Sequence, residues 1–235
     1  MENKYFFHYF KENVSERLGI KASFMASDMD CDNITCTYSN GKLYRSNETF
    51  FNTSVYKREL GNNFIGPAGG LYISLLDLNK VMNCYLNDGL NLLKKETMDR
   101  MLQLTWYGDR SGDYAAKGLQ FLILDYFDNR RLYGHFGYAY NVRSFLLFNP
   151  IQKMGMICFI NGADYKMQDC GMTVVQEAMI KCILDEYWDD SVKYELNFEF
   201  ASDTAYLNNR KIKIEYDNNY KVGRFISVKY MLDMF

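Results

Sequence analysis

The chain has 235 residues, of which 48% are hydrophobic and 24% charged, and its formal net charge is −2. This composition is typical of a globular protein with a buried core, and it gives no electrostatic reason to expect nucleic acid as a partner. None of the six cysteines forms a Cys-x-x-Cys pair, and no Cys/His cluster has zinc spacing. We therefore predict no metal, no cofactor and reduced cysteines. Three of them stand in apolar patterns that predict burial: Cys84, Cys158 and Cys182.

The N-terminus shows no signal-peptide pattern, because no basic region there is followed by an apolar run and a small-residue cleavage site. No stretch approaches the roughly 18 apolar residues of a membrane span. We therefore predict a cytoplasmic protein without a membrane span for the chain as written. A location outside the cytoplasm would follow if the chain were a fragment of a longer exported protein.

The first half of the chain predicts helices on either side of a polar segment. Apolar residues recur at helical spacing over 4–18, and Gly19 stands where a helix C-cap is expected. The segment 21–63 is polar and irregular, with short possible strands at 34–38 and 42–44. Ser74 and Asp77 resemble a capping box and predict a helix, and 94–104 predicts another. The apolar face of the helix after Ser74 would be Leu75, Leu78, Met82 and Tyr85.

The second half of the chain predicts strands, then a helix, then a β-rich tail. Apolar and aromatic runs at 118–127, 132–148 and 154–161 are typical of strands, and the turn at 149–153 would join the last two as an antiparallel hairpin. The segment 172–187 predicts a helix whose apolar stripe is Val175, Met179, Cys182, Ile183 and Tyr187. Alternating residues in 191–235 predict a small antiparallel appendage, separate from a domain at 1–190.

Four segments follow one another along the chain, YFKENVSERLGI, GPAGGLYISLLDLNKVM, YGHFGY and FLLFNPIQKMGMICFINGA, and an amphipathic helix comes after them. In this order the five elements resemble the C-terminal half of the serine β-lactamases and penicillin-recognising serine hydrolases. The resemblance is closest to the branch of class C β-lactamases, D-alanyl-D-alanine carboxypeptidases and esterases. It covers roughly residues 5–187 and implies an incomplete α+β fold, with an antiparallel sheet packed against helices.

The resemblance implies that His135-Phe136-Gly137 is the family's third motif, on the strand that lines the active-site cleft. A basic side chain at the first position would raise the local positive potential, and the glycine would let the backbone approach the substrate. The backbone N–H of Tyr138 would help to form an oxyanion hole. Phe136 stands where family members that bind a β-lactam carboxylate have a hydroxyl residue. The substrate is therefore expected to be a small ester or peptide rather than a β-lactam.

The family's nucleophile is the serine of a Ser-x-x-Lys motif at a helix start, followed downstream by Tyr-x-Asn, and both normally precede the helix that matches 4–18. The chain holds an apparent match to the first motif at Ser54 to Lys57 and to the second at Tyr38 to Asn40. Their order is inverted and both lie in the polar segment. Short patterns of this kind arise often by chance, so we interpret them as chance matches.

The sequence thus predicts a truncated or split serine hydrolase that lacks its own nucleophile and would act by an acyl-serine mechanism if it were completed. The alternative is a non-catalytic binding or interaction module, a pseudoenzyme derived from the same fold. Loss of half of such a domain exposes apolar surface, so we expect either a complementary chain or self-association. We expect no nucleic-acid partner.

Overall fold

The computed structural model describes residues 6–52, 66–90, 92–107, 116–124, 127, 130–162, 166–167 and 172–192, together with three short strands in the tail. It confirms the predicted α+β class. An antiparallel sheet of six strands forms the centre, and helices pack on both of its faces.

The helices follow the predicted positions closely. The first is α1 (Phe6–Phe10), which continues through a π-helical turn (Lys11–Ser15) into α2 (Glu16–Leu18). It ends at Gly19, whose φ of 60° is the left-handed conformation of a glycine C-cap. The others are α3 (Asn47–Asn52), α4 (Gly66–Gly69), α5 (Leu75–Leu86), α6 (Lys95–Leu102) and α7 (Val174–Tyr187).

The strands form one large sheet and three small ones. The large sheet holds β5 (Trp106–Tyr107), β6 (Ala116–Lys117), β7 (Leu122–Leu124), β8 (Leu132–Ala139), β9 (Val142–Asn149) and β10 (Met154–Asn161), in the order β10-β9-β8-β7-β6-β5. Every neighbouring pair is antiparallel. Two small sheets precede it, β1 (Ala22–Ser23) with β4 (Tyr72–Ile73) and β2 (Thr37–Ser39) with β3 (Lys42–Arg45). The third is the meander β11 (Phe198–Ala201), β12 (Thr204–Leu207) and β13 (Arg210–Ile212).

The apolar run at 132–148 is two strands rather than one. Tyr140 and Asn141 have φ values of 51° and 63°, so they form the two-residue turn between β8 and β9. Asparagine is common at positive φ, but tyrosine is not. Because the run is rich in aromatic residues, its sequence did not indicate a turn. The second hairpin lies where the sequence predicted it. The Asn149 carboxamide oxygen accepts hydrogen bonds from the backbone N–H groups of Ile151 and Gln152 and holds the turn between β9 and β10.

The start of α5 is capped as the sequence predicted, and the cap also anchors the preceding chain. The Ser74 hydroxyl accepts a hydrogen bond from the Asp77 backbone N–H at 3.1 Å. The Asp77 carboxylate accepts from the Lys21 backbone N–H at 3.2 Å, and Lys80 bridges Asp77 to the Gly19 carbonyl. The hydrogen bond from Lys80 holds the pKa of Asp77 below its usual range. This cap therefore ties α5 to the segment after α2.

The sheet has a separate apolar core on each face. One core packs α7 against strands β7 to β10, and its fully buried centre includes Leu132, Phe145, Leu147, Ile180 and Leu184. The other core packs α5 against the opposite face, around Met82, Leu86, Phe121 and Phe148. Tyr85 of α5 stacks on Phe148 in this second core, and its burial raises its pKa to about 12. Both faces are covered by helices because alternate residues of β8 to β10 are apolar on each side.

The predicted apolar stripe of α7 is wrong for most of its residues. The sheet-facing row is Gln176, Ile180 and Leu184, all buried, and Ile183 of the predicted stripe is partly buried against that core. Gln176 belongs inside because it forms a capping box with Thr173 and donates to the Ser144 carbonyl of β9. The other members of the predicted stripe are exposed: Val175, Met179, Cys182 and Tyr187. The burial predicted for Cys182 is therefore wrong, whereas Cys84 and Cys158 are buried.

The polar segment at 21–63 is more ordered than the sequence suggested over the part that is described. Helix α3 packs, through Phe50, against a small apolar cluster that also contains Ala26 and Ile34. The Arg45 guanidinium lies between the rings of Phe50 and Tyr140, at 5.0 and 4.4 Å from their centroids. This segment therefore packs against the β8–β9 turn. The tail forms the short antiparallel strands expected of a β-rich appendage.

Candidate functional site

The predicted third motif lies on the part of β8 that projects beyond its neighbour β7. Strand β7 pairs with β8 only from Leu132 to Gly134, whereas β9 pairs with it as far as Ala139. Among the described residues, no strand pairs with the other side of 135–139. Alternate backbone N–H and C=O groups of such an edge point outward and can bind an extended ligand. This unpaired segment of β8 is the candidate site.

Gly134, directly before the motif, is needed for the close approach of β8 and β9. A Cβ atom at this position would lie 1.9 Å from the Leu146 backbone oxygen, and its φ is 152°. No L-residue fits there without moving one of the two strands. The glycine therefore keeps the strand carrying the motif in register with β9.

His135 is exposed at the start of this segment, over the edge of the α5-side core. Its imidazole lies 5.8 Å from the ring of Phe121. The side chain keeps contact with solvent, but its partial burial lowers its pKa, and the nearby Lys117 ammonium lowers the pKa further. A hydrogen bond to the Gln120 backbone acts in the opposite direction. At neutral pH the imidazole is therefore mainly uncharged. The positive charge beside the motif comes from Lys117.

The side chains of the next two motif residues point to opposite faces of the sheet. The Phe136 ring packs into the α7-side core, 6.3 Å from the ring of Phe145. Gly137 pairs with Ser144 of β9, and a Cβ at Gly137 would lie 2.4 Å from the Ser144 hydroxyl oxygen. The absent side chain leaves that hydroxyl uncovered on the same face as His135. The Ser144 hydroxyl and the His135 imidazole thus share one face of the sheet.

Tyr138 completes the segment and is shielded on one side. Its side chain is exposed, and the Arg143 guanidinium of β9 lies 3.5 Å from its ring centroid. The two residues are direct cross-strand partners. This cation–π contact holds the ring against β9.

The apparent nucleophile motif is only partly within the described residues. Ser54 and Lys57 lie outside them. Tyr38 is in β2, where its backbone N–H donates to the Asn161 side chain at the end of β10. Asn161 pairs with Val142 on β9, so Tyr38 lies two strands away from β8. The structure therefore brings His135, Phe136, Gly137 and Tyr138 together but does not place Tyr38 among them.

The hairpin turn between β2 and β3 explains the Tyr-x-Asn match. Asn40 and Gly41 have φ values of 48° and 75°, which makes them the central residues of a two-residue hairpin turn, for which Asn-Gly is the preferred sequence. The same turn contains a further Ser-x-x-Lys match that sequence reasoning missed, Ser39 to Lys42. These residues are partners across a hairpin and not neighbours on a helical turn. The local sequence thus serves the turn.

Sequence reasoning also missed Lys117 and Ser144. Lys117 is adjacent to Gly118 in a two-residue strand, and its ammonium lies 5.9 Å from the centroid of the Trp106 ring. Ser144 lies inside an apolar strand, and only its pairing with Gly137 connects it with the motif. No local pattern marks either residue, because both reach the site through strand pairing.

The described residues contain no group of three or more His, Cys, Asp or Glu side chains placed to hold a metal ion. In the same part of the chain, no helix has the length and apolar character needed to cross a bilayer.

Comparison with solved structures indicates a known fold. A penicillin-binding protein homologue from Pyrococcus abyssi, described as octameric, superposes with a TM-score of 0.55 at 17% identity, over 85% of this chain and 47% of its own. A mutant of simvastatin synthase from Aspergillus terreus gives 0.57 at 18% identity, over 77% and 50%. The D-amino acid amidase from Ochrobactrum anthropi SV3 gives 0.56 at 12% identity, over 78% and 53%.

The chain spans about half the length of these structures. No curated protein sequence gives a significant match. The family model described as Beta-lactamase matches residues 4–176. That match includes α1, the α5 cap, the β8 segment and the start of α7. The chain therefore belongs to the β-lactamase family.

Proposed function

We propose that this chain provides the sheet-side wall of an acyl-transfer cleft in a serine hydrolase, with the unpaired β8 segment as the edge that binds substrate. The observation that carries the proposal is the exposure of His135 beside Lys117 on a strand whose outer backbone has no partner strand among the described residues. The family match supports the same interpretation, since it includes this strand.

The proposed roles follow from the groups on that edge. The substrate's acyl part pairs with the outward backbone groups of 135–139, and the Tyr138 N–H donates to the oxyanion that forms in the transition state. The Lys117 ammonium attracts a carboxylate at the far end of the substrate. His135, mainly neutral, accepts or donates a proton at its imidazole nitrogens.

The nature of the side chain at position 136 favours an ester or a peptide over a β-lactam as substrate. The Phe136 ring packs into the α7-side core and has no hydrogen-bonding atom, so it offers nothing to a β-lactam carboxylate. A linear acyl chain can instead use the backbone of β8, which does not depend on the side chain at 136.

The nucleophile is the part of the mechanism that we assign to another polypeptide segment. We propose that Ser54, Lys57 and Tyr38 are chance matches, and that the serine and lysine come from a longer form of the protein or from a separate complementary chain. An acyl-serine ester would then form next to the β8 edge.

A non-catalytic binding module is the second candidate. It is favoured by the inverted order of the Ser54–Lys57 and Tyr38–Asn40 matches along the chain, which leaves the β8 edge without a recognised nucleophile. Such a module would keep the peptide-binding edge and bind acylated peptides without turning them over.

Intact-protein mass spectrometry after incubation with a fluorophosphonate, and separately with benzylpenicillin, tests the assignment of the nucleophile. We expect no adduct on the folded chain. An adduct that maps to Ser54 and disappears in Ser54→Ala would refute the interpretation as a chance match. An upstream reading frame encoding Ser-x-x-Lys and Tyr-x-Asn would favour the split enzyme over the binding module.

Binding at the edge is tested by following the imidazole resonances during titration with an N-acylated dipeptide that has a free carboxylate. We expect the His135 signals to shift and those of His8, on α1, to stay unchanged. Lys117→Gln should weaken the binding and Lys80→Gln, on the outside of α5, should not. Equal effects of the two lysine variants would count against a role for Lys117.

A further inference from the structure

A guanidinium group lies at one end of the unpaired β8 segment, and the Lys117 ammonium lies near the other end. Arg45 of β3 packs its guanidinium on the ring of Tyr140, the residue directly after Ala139, at 4.4 Å from the ring centroid. The guanidinium is also 5.0 Å from the centroid of Phe50, and the two rings meet edge to face. These contacts restrict the orientation of the guanidinium, whose N–H groups lie in its own plane and stay able to donate.

The position of Arg45 is set by contacts within this chain. The β2–β3 hairpin that carries it is tied to the end of the large sheet by the Asn161 side chain. The side-chain oxygen of Asn161 accepts a hydrogen bond from the Tyr38 backbone N–H at 3.1 Å, and its side-chain nitrogen donates to the Cys36 carbonyl at 2.8 Å. A segment that completes the fold elsewhere is therefore not needed to hold Arg45 beside the end of β8.

The Arg45 guanidinium has no acidic partner among the described residues. The side chain is only partly exposed, and within that part of the chain no carboxylate pairs with it. Partly buried charges in proteins are normally paired, because their removal from water is costly. A guanidinium that is fixed by two rings but lacks a counter-ion is suited to bind a carboxylate with its planar fork of N–H donors.

The hydroxyl of Thr37 is a second, independent observation at the same place. Thr37 is the direct cross-strand partner of Arg45, so the two side chains lie on the same face of the β2–β3 hairpin. Thr37 is 4% exposed, and among the described residues its hydroxyl is the one buried side-chain polar atom without a hydrogen-bond partner. Because buried hydroxyls are almost always paired, this one indicates that a polar ligand is bound beside Arg45.

Tyr72 of β4 adds a neutral donor to this group. Burial raises the pKa of the Tyr72 hydroxyl above its ordinary value of 10, the nearby Tyr140 raises the pKa further, and the nearby Arg45 guanidinium opposes the rise. The hydroxyl is therefore protonated at neutral pH and can donate a hydrogen bond. We call Arg45, Thr37 and Tyr72 together the anion subsite.

We propose that the anion subsite binds a carboxylate on the acyl side of the substrate, so that the substrate carries a negative charge at each end. The inference rests on the proposed function, in which the substrate extends along 135–139 and its other carboxylate lies near Lys117. The segment 135–139 spans about 16 Å. An extended tripeptide with an N-succinyl group has roughly this length between its two carboxylates. The substrate class is therefore a short peptide acylated by a dicarboxylic acid.

Two probes of the same length test the proposal by isothermal titration calorimetry on the full chain. N-succinyl-trialanine carries a carboxylate at both ends, whereas N-butyryl-trialanine has a methyl group in place of the succinyl carboxylate. We expect the wild-type chain to bind the succinyl probe roughly tenfold more tightly than the butyryl probe. Arg45→Gln should abolish this preference by weakening the succinyl probe alone.

Two further variants separate the geometry of the guanidinium from its charge. Lys42→Gln removes the same charge from an exposed position on the same strand, so it should keep the full preference. Arg45→Lys keeps the charge but loses the planar fork, so it should keep only part of the preference.

Thr37→Val tests the buried hydroxyl. Since the hydroxyl is unpaired without ligand, its removal should leave the Tm unchanged or raise it, yet weaken the succinyl probe roughly threefold. A lower Tm with an unchanged preference would overturn the role of Thr37 in the anion subsite.

The outcomes distinguish the anion subsite from the β8 edge. Equal binding of the two probes to the wild type, or a preference that survives Arg45→Gln, would overturn the anion subsite and leave the β8 edge in place. Equal weakening of both probes by Arg45→Gln would assign Arg45 a purely structural role and overturn the subsite as well. Binding of neither probe to the wild type would overturn the β8 edge itself, and this inference with it.

Discussion

Replacing Ile180 by alanine tests the observed orientation of α7, because the sequence pattern and the structure disagree about which face of this helix is buried. Ile180 is fully buried against the sheet. The substitution removes three carbon groups, worth about 0.8 kcal/mol each in transfer free energy. The cavity left behind adds to this, so we expect a loss of about 3 to 4 kcal/mol in the free energy of unfolding.

Met179→Ala is the matched comparison, since Met179 is the next residue along the helix and belongs to the stripe that the sequence predicted. Its side chain is 36% exposed. Truncation there should cost less than about 1 kcal/mol, partly because alanine is the better helix former. Ile180→Ala is therefore expected to lower the free energy of unfolding by more than about three times as much as Met179→Ala does.

Urea denaturation followed by circular dichroism at low micromolar protein concentration measures both values without a contribution from dimerisation. For a chain of this length, the Ile180→Ala loss corresponds to a fall in Tm of about 10 °C. Ile180→Val, expected to cost about 1 kcal/mol, provides a value if the alanine variant does not fold. A Met179→Ala cost equal to or larger than that of Ile180→Ala would refute the observed orientation.

Three further predictions concern the site and its hairpins. Gly134→Ala should lower the free energy of unfolding by at least about 2 kcal/mol, because the new Cβ would meet the Leu146 backbone oxygen. Gly137→Ala should cost less in the same urea denaturation, because the atom that its Cβ would meet is a hydroxyl oxygen that can rotate away. As the pH falls from 7.5 to 5, the wild type should lose stability relative to His135→Gln. The pKa of His135 in the folded protein lies below the ordinary value of 6.5, so the unfolded chain takes up the proton first as the pH falls. Equal pH dependence of the wild type and His135→Gln would contradict this. Asn149→Ala should lower the free energy of unfolding by about 2 to 3 kcal/mol in the same assay. The substitution removes the side chain that bonds the Ile151 and Gln152 N–H groups and the Arg131 carbonyl. A loss below about 1 kcal/mol would contradict the role of Asn149 in this turn.

Local sequence patterns were sufficient to predict most of the helices and one of the hairpins. The α5 cap at Ser74 and the C-cap at Gly19 depend on residues adjacent in the chain, so the sequence contains all of the information needed to predict them. The turn at 149–153 was also predictable, because Asn-Pro is a strong turn signal. The turn at Tyr140 and Asn141 was not, since aromatic residues surround it and favour strands.

The buried face of α7 could not be predicted from the pattern alone. Both flanks of the helix carry apolar residues, and the correct row includes a glutamine that is buried because it caps its own helix and donates to β9. A polar residue with its hydrogen bonds satisfied can lie in a core, and a pattern that scores it as polar assigns the wrong face. One member of the row that the pattern favoured, Met179, instead reaches the side of β10, where its sulfur lies 3.8 Å from that of Cys158.

Some features of the candidate site could likewise be predicted from the sequence, and others could not. The sequence by itself determined the family resemblance, the α+β class and the segment His135 to Tyr138, because each depends on motifs that are contiguous in the chain. Only the tertiary structure decided that Ser144 lies on the His135 face, that the Lys117 charge lies near the imidazole, that Phe136 points into the α7-side core and that the imidazole is mainly neutral. Strand pairing brings together residues that are far apart in sequence, and burial, which sets the pKa, exists only once the sheet has formed.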